Sequence, residues 1–539
     1  MKKLIDFFSN NVFSEKIVYF WPVILLSSIL IFSAIFRFSW DISSQVVLHI
    51  IVLIFLFVIL NYYKIELSLK NEGLWLLFFL AALLSAYKST ELSNVRNELF
   101  NLFDCLIIGY IASLIPLRIR KKLFYVPVFI GLWLSIILLF YFFKNPANFF
   151  VSDKIPYEFL INPNVLAGYL IICLPLSFIF WDKAYPKKDN YSHILLFILI
   201  FIGIILTKSR TAILISFFVS GFYLFKYNKE FMKYYKILLI PSLMLLSLFI
   251  YLLFSVKGHF FHRISWWHAA VNMFADNFIN GVGWGNFGNL YLVYRPSLSL
   301  NSLYAHNIFL QMLAEIGLIG TMSFVLIVLR PFQKNIMENN PLNKYLLMAV
   351  GCFILYNLFN YSFYIPAIAI LFWICIGSTV KNSFTLRSKP ILKPWILLIL
   401  VLVFTYPYTQ IFSANVHFQN GIFYMKKEDL QRSSVEMQKS ILRDPLPSKY
   451  HNKLSEIYFR MFSLDKTKVK VLDKSIDAQK KSIERYSYNA KYWSDLSWLY
   501  WISKNKKAAV RSIKTAMEYD TYNQKYPKTL KFFTQKRND

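Results

Sequence analysis

His306 stands at the mouth of an apolar run, in AHNIFLQMLAEIGLIG (305–320). An imidazole titrates near neutrality, so at the wet end of a cavity it can take the proton of an attacking hydroxyl. Beside the potential cap Asn307 it can equally be an interfacial polar residue. Upstream, LTKSRTAIL (206–214) places Lys208, Ser209 and Arg210 between two apolar runs. A guanidinium in a wet cavity offers a planar fork of donors that suits phosphate. At a span end the same side chain can instead reach out to lipid headgroups. Between these stretches lies FHRISWWHAAVNMFADNFINGVGWGNFGNLY (261–291). Arg263, Trp266, Trp267, His268 and Phe274 fit a helix lying on the membrane surface, its aromatics at headgroup level. Gly281, Gly283 and Gly285 then allow a tight turn or a close approach to a ligand. No strand precedes this turn and no Walker lysine follows it, so it is not a nucleotide motif. Arg295, Tyr304, His268 and Lys208 are further polar groups within the same region. Glu315, deeper in the apolar run, is read as a hydrogen-bonded structural residue. No paired carboxylates share a loop, and no His/Cys/Asp cluster has metal-ligand spacing. Neither a metal nor a cofactor is expected, which disfavours a metal-dependent sugar-nucleotide enzyme.

These residues need a scaffold that holds them at a membrane surface, and the composition supplies one. The 539 residues are 57% hydrophobic and 19% aromatic, too apolar for a soluble domain. The net charge of +30 is therefore read as basic loops and a basic terminal domain facing lipid or glycan, with no nucleic-acid partner. Apolar runs long enough to span fall near 17–36, 43–62, 73–87, 99–117, 124–143, 165–181, 193–207, 209–226, 236–254, 308–329, 344–361, 365–380 and 394–411. The run at 73–87 is short, and 344–380 reads either as two spans or as one broken hairpin. Basic residues in the short loops favour a cytoplasmic N-terminus about two to one. An odd number of spans then puts 144–164, 207–210, 255–305 and the C-terminal region on the outside. The N-terminus is too polar for a cleavable signal, so the first apolar run is read as the first span. Cys105, Cys173, Cys352 and Cys375 all fall in apolar runs and read as packing residues.

After residue 411 the sequence becomes charged and helix-periodic. Candidate helices at 412–425, 428–443, 448–462, 468–485, 488–503 and 505–519 form three pairs, near the spacing of tetratricopeptide repeats. Trp493, Leu496 and Tyr500 share one helical face, with Ala508 and Ala509 at a close-packing position. Such stacks bind partners and carry no chemistry of their own; a helical cap on the membrane domain would show the same pattern. The expected fold is all-α: a polytopic bundle of 12–13 spans over 1–411 and a tetratricopeptide-like domain over 412–539.

LTKSRTAIL, HRISWWHAAVNMFADNFINGVGWGNF and YAHNIFLQMLAEIGLIG resemble, in order and position, signature blocks of the O-antigen ligase and polymerase superfamily. INPNVLAGYL (161–170) resembles its upstream Asn-Pro-Asn block, so the likeness covers about 160–330. Phe278 departs from the proline usual before the glycine turn. The resemblance implies a GT-C-like, metal-independent glycosyltransferase of the bacterial inner membrane. It would move a preassembled glycan from undecaprenyl diphosphate to an acceptor hydroxyl, that of lipid A core, on the periplasmic face. Arg210 and Arg263 would grip the diphosphate and His306 would serve the acceptor, with Lys208, His268, Arg295 and Tyr304 as further substrate contacts. A polysaccharide polymerase or a protein O-oligosaccharyltransferase would carry the same blocks, and the repeat domain could engage a protein acceptor or partner. Outside the family, an exporter would show matching internal halves, which this sequence lacks. A membrane-anchored scaffold would not need these residues.

Overall fold

The computed structural model describes residues 13–65, 69–144, 146, 162–181, 192–227, 259–337, 340–380, 384–386 and 390–535. In a bilayer every backbone group must be satisfied within the chain, and the apolar runs accordingly form helices. In chain order these are α1 (Phe13–Ile35), α2 (Ile42–Tyr62), α3 (Leu69–Ser85), α4 (Leu92–Leu114), the short α5 (Leu117–Leu123), α6 (Tyr125–Lys144), α7 (Pro163–Leu176), α8 (Ser192–Leu206) and α9 (Arg210–Tyr227). There follow α10 (His259–Asp276), α11 (Phe287–Tyr294), α12 (Ile308–Met337), α13 (Pro341–Tyr356), α14 (Pro366–Ser378) and α15 (Pro394–Lys426). Among the described residues, six helices are long and apolar enough to cross a membrane, and six shorter apolar ones stand with them. The span expected at 236–254 lies outside the described residues, as do most of 144–164 and the first residues of the 255–305 loop. The doubtful block at 344–380 is two helices, α13 and α14, joined through a short 3-10 turn at Ser362–Tyr364.

The bundle closes around α14, every residue of which is buried. It packs on α4 through small residues: a Cβ on Gly377 would lie 1.8 Å from the Gly109 carbonyl oxygen. Only glycine lets two membrane helices approach this closely.

The two ends of the bundle differ in chemistry. At one end β1 (Tyr63–Ile65) pairs antiparallel with β2 (Phe384–Leu386), a small departure from an all-helical chain. There Arg120, one of the basic residues between two apolar runs, is fully buried. Its guanidinium donates to the carbonyls of Ile115 (2.9 Å), Ser113 (2.8 Å) and Val380 (3.0 Å), and also to Ser378. It thus caps the C-terminal ends of α4 and α14 together, where a cation is favoured by both helix dipoles. At the other end lie the turns 36–41, 85–91, 207–209 and 295–307, the helix α10, and the site described below.

The C-terminal domain consists of stacked helix pairs. After α15 come α16 (Leu430–Arg443), α17 (Ser448–Leu464), α18 (Val469–Arg485), α19 (Ala490–Ile502) and α20 (Lys506–Tyr519). A further helix, α21 (Lys525–Thr534), was not foreseen; Trp501 stacks on its Phe533 at 4.6 Å and closes the stack. Leu496 and Ala509 are buried as the periodicity predicts. The boundary expected at 411–412 does not exist as a break, because the last span and the first repeat helix are one continuous α15. The stack lies against the site end of the bundle by its inter-unit turns. Asp444 accepts both guanidinium N–H groups of Arg96 (2.9 and 2.8 Å), and Ser448 donates to Glu91 (2.8 Å). Tyr486 donates to the Asn289 carbonyl, and Asp520 pairs with Arg295.

Candidate active site

Three segments distant in sequence meet at this end. The turn at 207–209 reverses the chain between α8 and α9, with Lys208 in the left-handed region (φ 57°). Arg210 is then the first residue of α9 and is exposed. Ser209 is buried, and its hydroxyl lies 3.1 Å from that of Tyr356, which donates to the Asn164 carbonyl at 2.7 Å. This links the Asn-Pro-Asn block to the turn carrying Arg210. Asn162 caps α7 by accepting from the Asn164 N–H at 2.8 Å, as its place before Pro163 suggests.

Arg263 comes from the first turns of α10. Burial holds its guanidinium below its ordinary value, the Tyr356 hydroxyl opposes that shift, and the charge of Arg210 adds to it. The two cations therefore act on each other across a partly dehydrated space, an arrangement that an anion between them would relieve.

His306 lies just ahead of α12, in the left-handed backbone region (φ 55°) that a side chain seldom adopts. Asn307 caps the helix, accepting from the N–H groups of Phe309 (3.0 Å) and Leu310 (3.1 Å). The imidazole is stacked on Trp266, ring centroids 4.6 Å apart at 23°, and Tyr361 meets its edge at 4.9 Å. Its Nδ1 is buried with no hydrogen-bond partner among the described residues. Burial and the charge of Arg263 hold its pKa down to about 3. The ring is therefore neutral in water of any ordinary pH and available to accept a proton. The N-termini of α7, α9 and α12 all open at this end, adding a field that favours negative charge.

The other sequence candidates separate into two groups. Tyr304 stacks on Tyr361 (4.8 Å, 6°) and belongs to the aromatic wall beside His306, and Lys208 sits half-buried in the Arg210 turn. His268 is exposed, two residues beyond Trp266 and so on a different face of α10. Arg295 is not brought to the cluster. It is buried, paired with Asp520, and donates to the Ser299 carbonyl at 3.2 Å, so it fastens the repeat domain. Glu315 is fully buried and accepts from the Phe287 N–H (3.2 Å) and the Gln311 amide (3.1 Å), the structural role expected of it.

The glycine turn also differs from a ligand cradle. Gly281, Gly283 and Gly285 have φ of 69°, 108° and 77°, but what they approach is the chain itself. The N–H groups of Val282 and Gly283 donate to the carbonyls of Ala314 (2.8 Å) and Glu315 (2.9 Å), inside α12. The turn thus dips into the bundle where Gly317 (φ 64°) interrupts α12. Two residues of the site, Tyr356 and Tyr361, escaped the sequence reading. The run YNLFNYSFY (356–364), polar and aromatic between two spans, was the signal that could have found them.

No curated protein is significantly similar to the chain. One solved structure, titled "Crystal structure of APC/C hetero-tetramer Cut9-Hcn1", aligns over 86% of this chain and 97% of its own at 11% identity. Its TM-score of 0.21 is too low for the likeness to carry weight. A family model does match: residues 195–325, which hold Arg210, Arg263 and His306, match the O-antigen ligase family.

Proposed function

We propose that this membrane protein is a metal-independent glycosyltransferase of the O-antigen ligase type. It takes a preassembled glycan from a polyprenyl diphosphate carrier, undecaprenyl diphosphate, and joins it to the hydroxyl of an acceptor, lipid A core, on the periplasmic side of the inner membrane. The observation that carries this reading is the convergence of Arg210, Arg263 and His306, from three separate segments, at one end of the bundle and within the family match. In the transfer the acceptor oxygen attacks the anomeric carbon, the bond from that carbon to the diphosphate oxygen breaks, and the diphosphate leaves with the bonding pair. Arg210 and Arg263 stabilise the developing charge on the diphosphate. His306 takes the acceptor's proton. Trp266 and Tyr361 fix its ring. A second reading, with a protein hydroxyl or a carrier-linked glycan as acceptor, is favoured by the docking of the repeat domain on the same end as the cluster.

Two experiments test this. Arg210→Ala, Arg263→Ala and His306→Ala should each lower transfer by roughly 10²- to 10³-fold while insertion and folding persist. A scaffold would tolerate all three. Single cysteines at 210, 263, 306 and 480, in a background lacking the four buried cysteines, should all react with an impermeant reagent from the periplasmic side. Reaction of the first three from the cytoplasm would refute the carrier-based mechanism.

A further inference from the structure

We infer that the repeat domain completes the active site and that Asp520 is the positioning residue through which it does so. The inference rests on the transfer reading above and concerns how His306 is held. Asp520, just after α20, is buried and ion-paired with the buried Arg295, whose guanidinium also faces the Tyr522 ring at 5.5 Å. The Tyr522 hydroxyl donates to the Pro296 carbonyl at 2.5 Å. The repeat domain therefore grips the loop 295–300 at two successive residues.

From its other side the same loop is tied to α10. The hydroxyls of Ser297 and Ser265 lie 3.2 Å apart, and the Leu300 N–H donates to His262 Nδ1 at 3.2 Å. The Leu300 carbonyl accepts the Trp266 indole N–H at 2.9 Å. An indole has one polar handle, and here a loop pinned by Asp520 holds it. Trp266 in turn lies flat on His306, whose own backbone is in a conformation that needs support. Residues 295–307 form neither helix nor strand, so their shape depends on these ties. Removing the Asp520 charge leaves the buried Arg295 without its counter-ion, held by the Ser299 carbonyl of the same loop. The guanidinium must then turn toward water and take the loop with it.

The test uses the full chain in lipid nanodiscs, with Asp520→Asn, Asp520→Glu and Tyr522→Phe. Asp495→Asn, which breaks an exposed pair with Lys491 on the same domain, serves as control. The first readout is the rate of His306 modification by diethylpyrocarbonate, followed by peptide mass spectrometry; it requires no turnover. The second is kcat and KM for transfer from a polyprenyl-diphosphate-linked glycan. Asp520→Asn should speed His306 modification several-fold and lower kcat about tenfold, with donor KM within twofold. Asp520→Glu should restore both, Tyr522→Phe should move both in the same direction by less, and Asp495→Asn should move neither. An unchanged modification rate, or a faster one with kcat intact, overturns the inference. Should the Asp520→Asn chain fail to fold, Tyr522→Phe decides by the same criteria. A wild-type chain without transfer activity sinks the functional reading alone, and the modification rates then decide the coupling by themselves.

Discussion

His306 illustrates how far residue type reveals a role and where it stops. Burial and the Arg263 cation keep its imidazole neutral, with a pKa of about 3, so the free site offers a base that is always deprotonated but weak. Arrival of a diphosphate between the arginines would cancel the cation and strengthen the base only when donor is bound. A neighbouring positive charge disfavours imidazolium, so its removal raises the pKa, and below that raised value the ring is protonated and idle. The pH profile of kcat/KM should accordingly show no acid limb near 6.5 in the wild type. In Arg263→Gln the acid limb of the residual activity should move up by about one unit. An unmoved limb would exclude His306 as the titrating base. That Arg210, Arg263 and His306 stand out together was legible because their types are costly at a membrane boundary, and the fold brings them near one another. Tyr356 was not, because a tyrosine in an apolar run reads as packing until Ser209 and Asn164 are seen beside it. The pairing of Arg295 was not legible, because its partner Asp520 is 225 residues away.

Among the elements, the glycine turn is the case where conformation was legible and purpose was not. The spacing of Gly281, Gly283 and Gly285 announces positive φ, but nothing in it says that the turn is inserted against α12. A Cβ on Gly281 would stand 2.3 Å from the Glu315 carbonyl carbon, and one on Gly317 would stand 2.1 Å from the Ile279 oxygen. Gly281→Ala should therefore cost at least about 2 kcal/mol, combining left-handed strain with backbone overlap. It should show as a lower Tm in nanodiscs. Gly73→Ala, where a Cβ meets nothing within 4 Å, should leave Tm unchanged or raise it, since alanine is the better helix former. Equal effects from both substitutions would mean that the seam does not hold the turn. Helix existence followed from apolar runs and the helix pairs from their periodicity. The kink at Gly317 and the helix α21 depended on contacts that only the assembled chain makes.

At the scale of the whole molecule, the expectation that the repeat domain lies outside hangs on an odd number of spans, and one span more or fewer reverses it. The docking contacts fix a relation that needs no count of spans: the stack sits at the same end of the bundle as His306, whichever side of the membrane that end faces. Arg96→Ala would leave Asp444 buried without its bidentate partner, a loss of about 3 kcal/mol at the interface. Hydrogen exchange in the inter-unit turns 444–448, 486–489 and 520–525 should rise together, while the helices of the stack stay protected. Exchange confined to 444–448 would show that each turn docks independently. The uninterrupted α15 constrains this assembly in one more respect. Its 33 residues run about 50 Å, and a helix fixes angle as well as reach. One inserted residue turns everything downstream by about 100°, while four nearly restore the heading but push the stack outward by about 6 Å. No added length satisfies both heading and height, so the seam near residue 411 can change its residues but not their number.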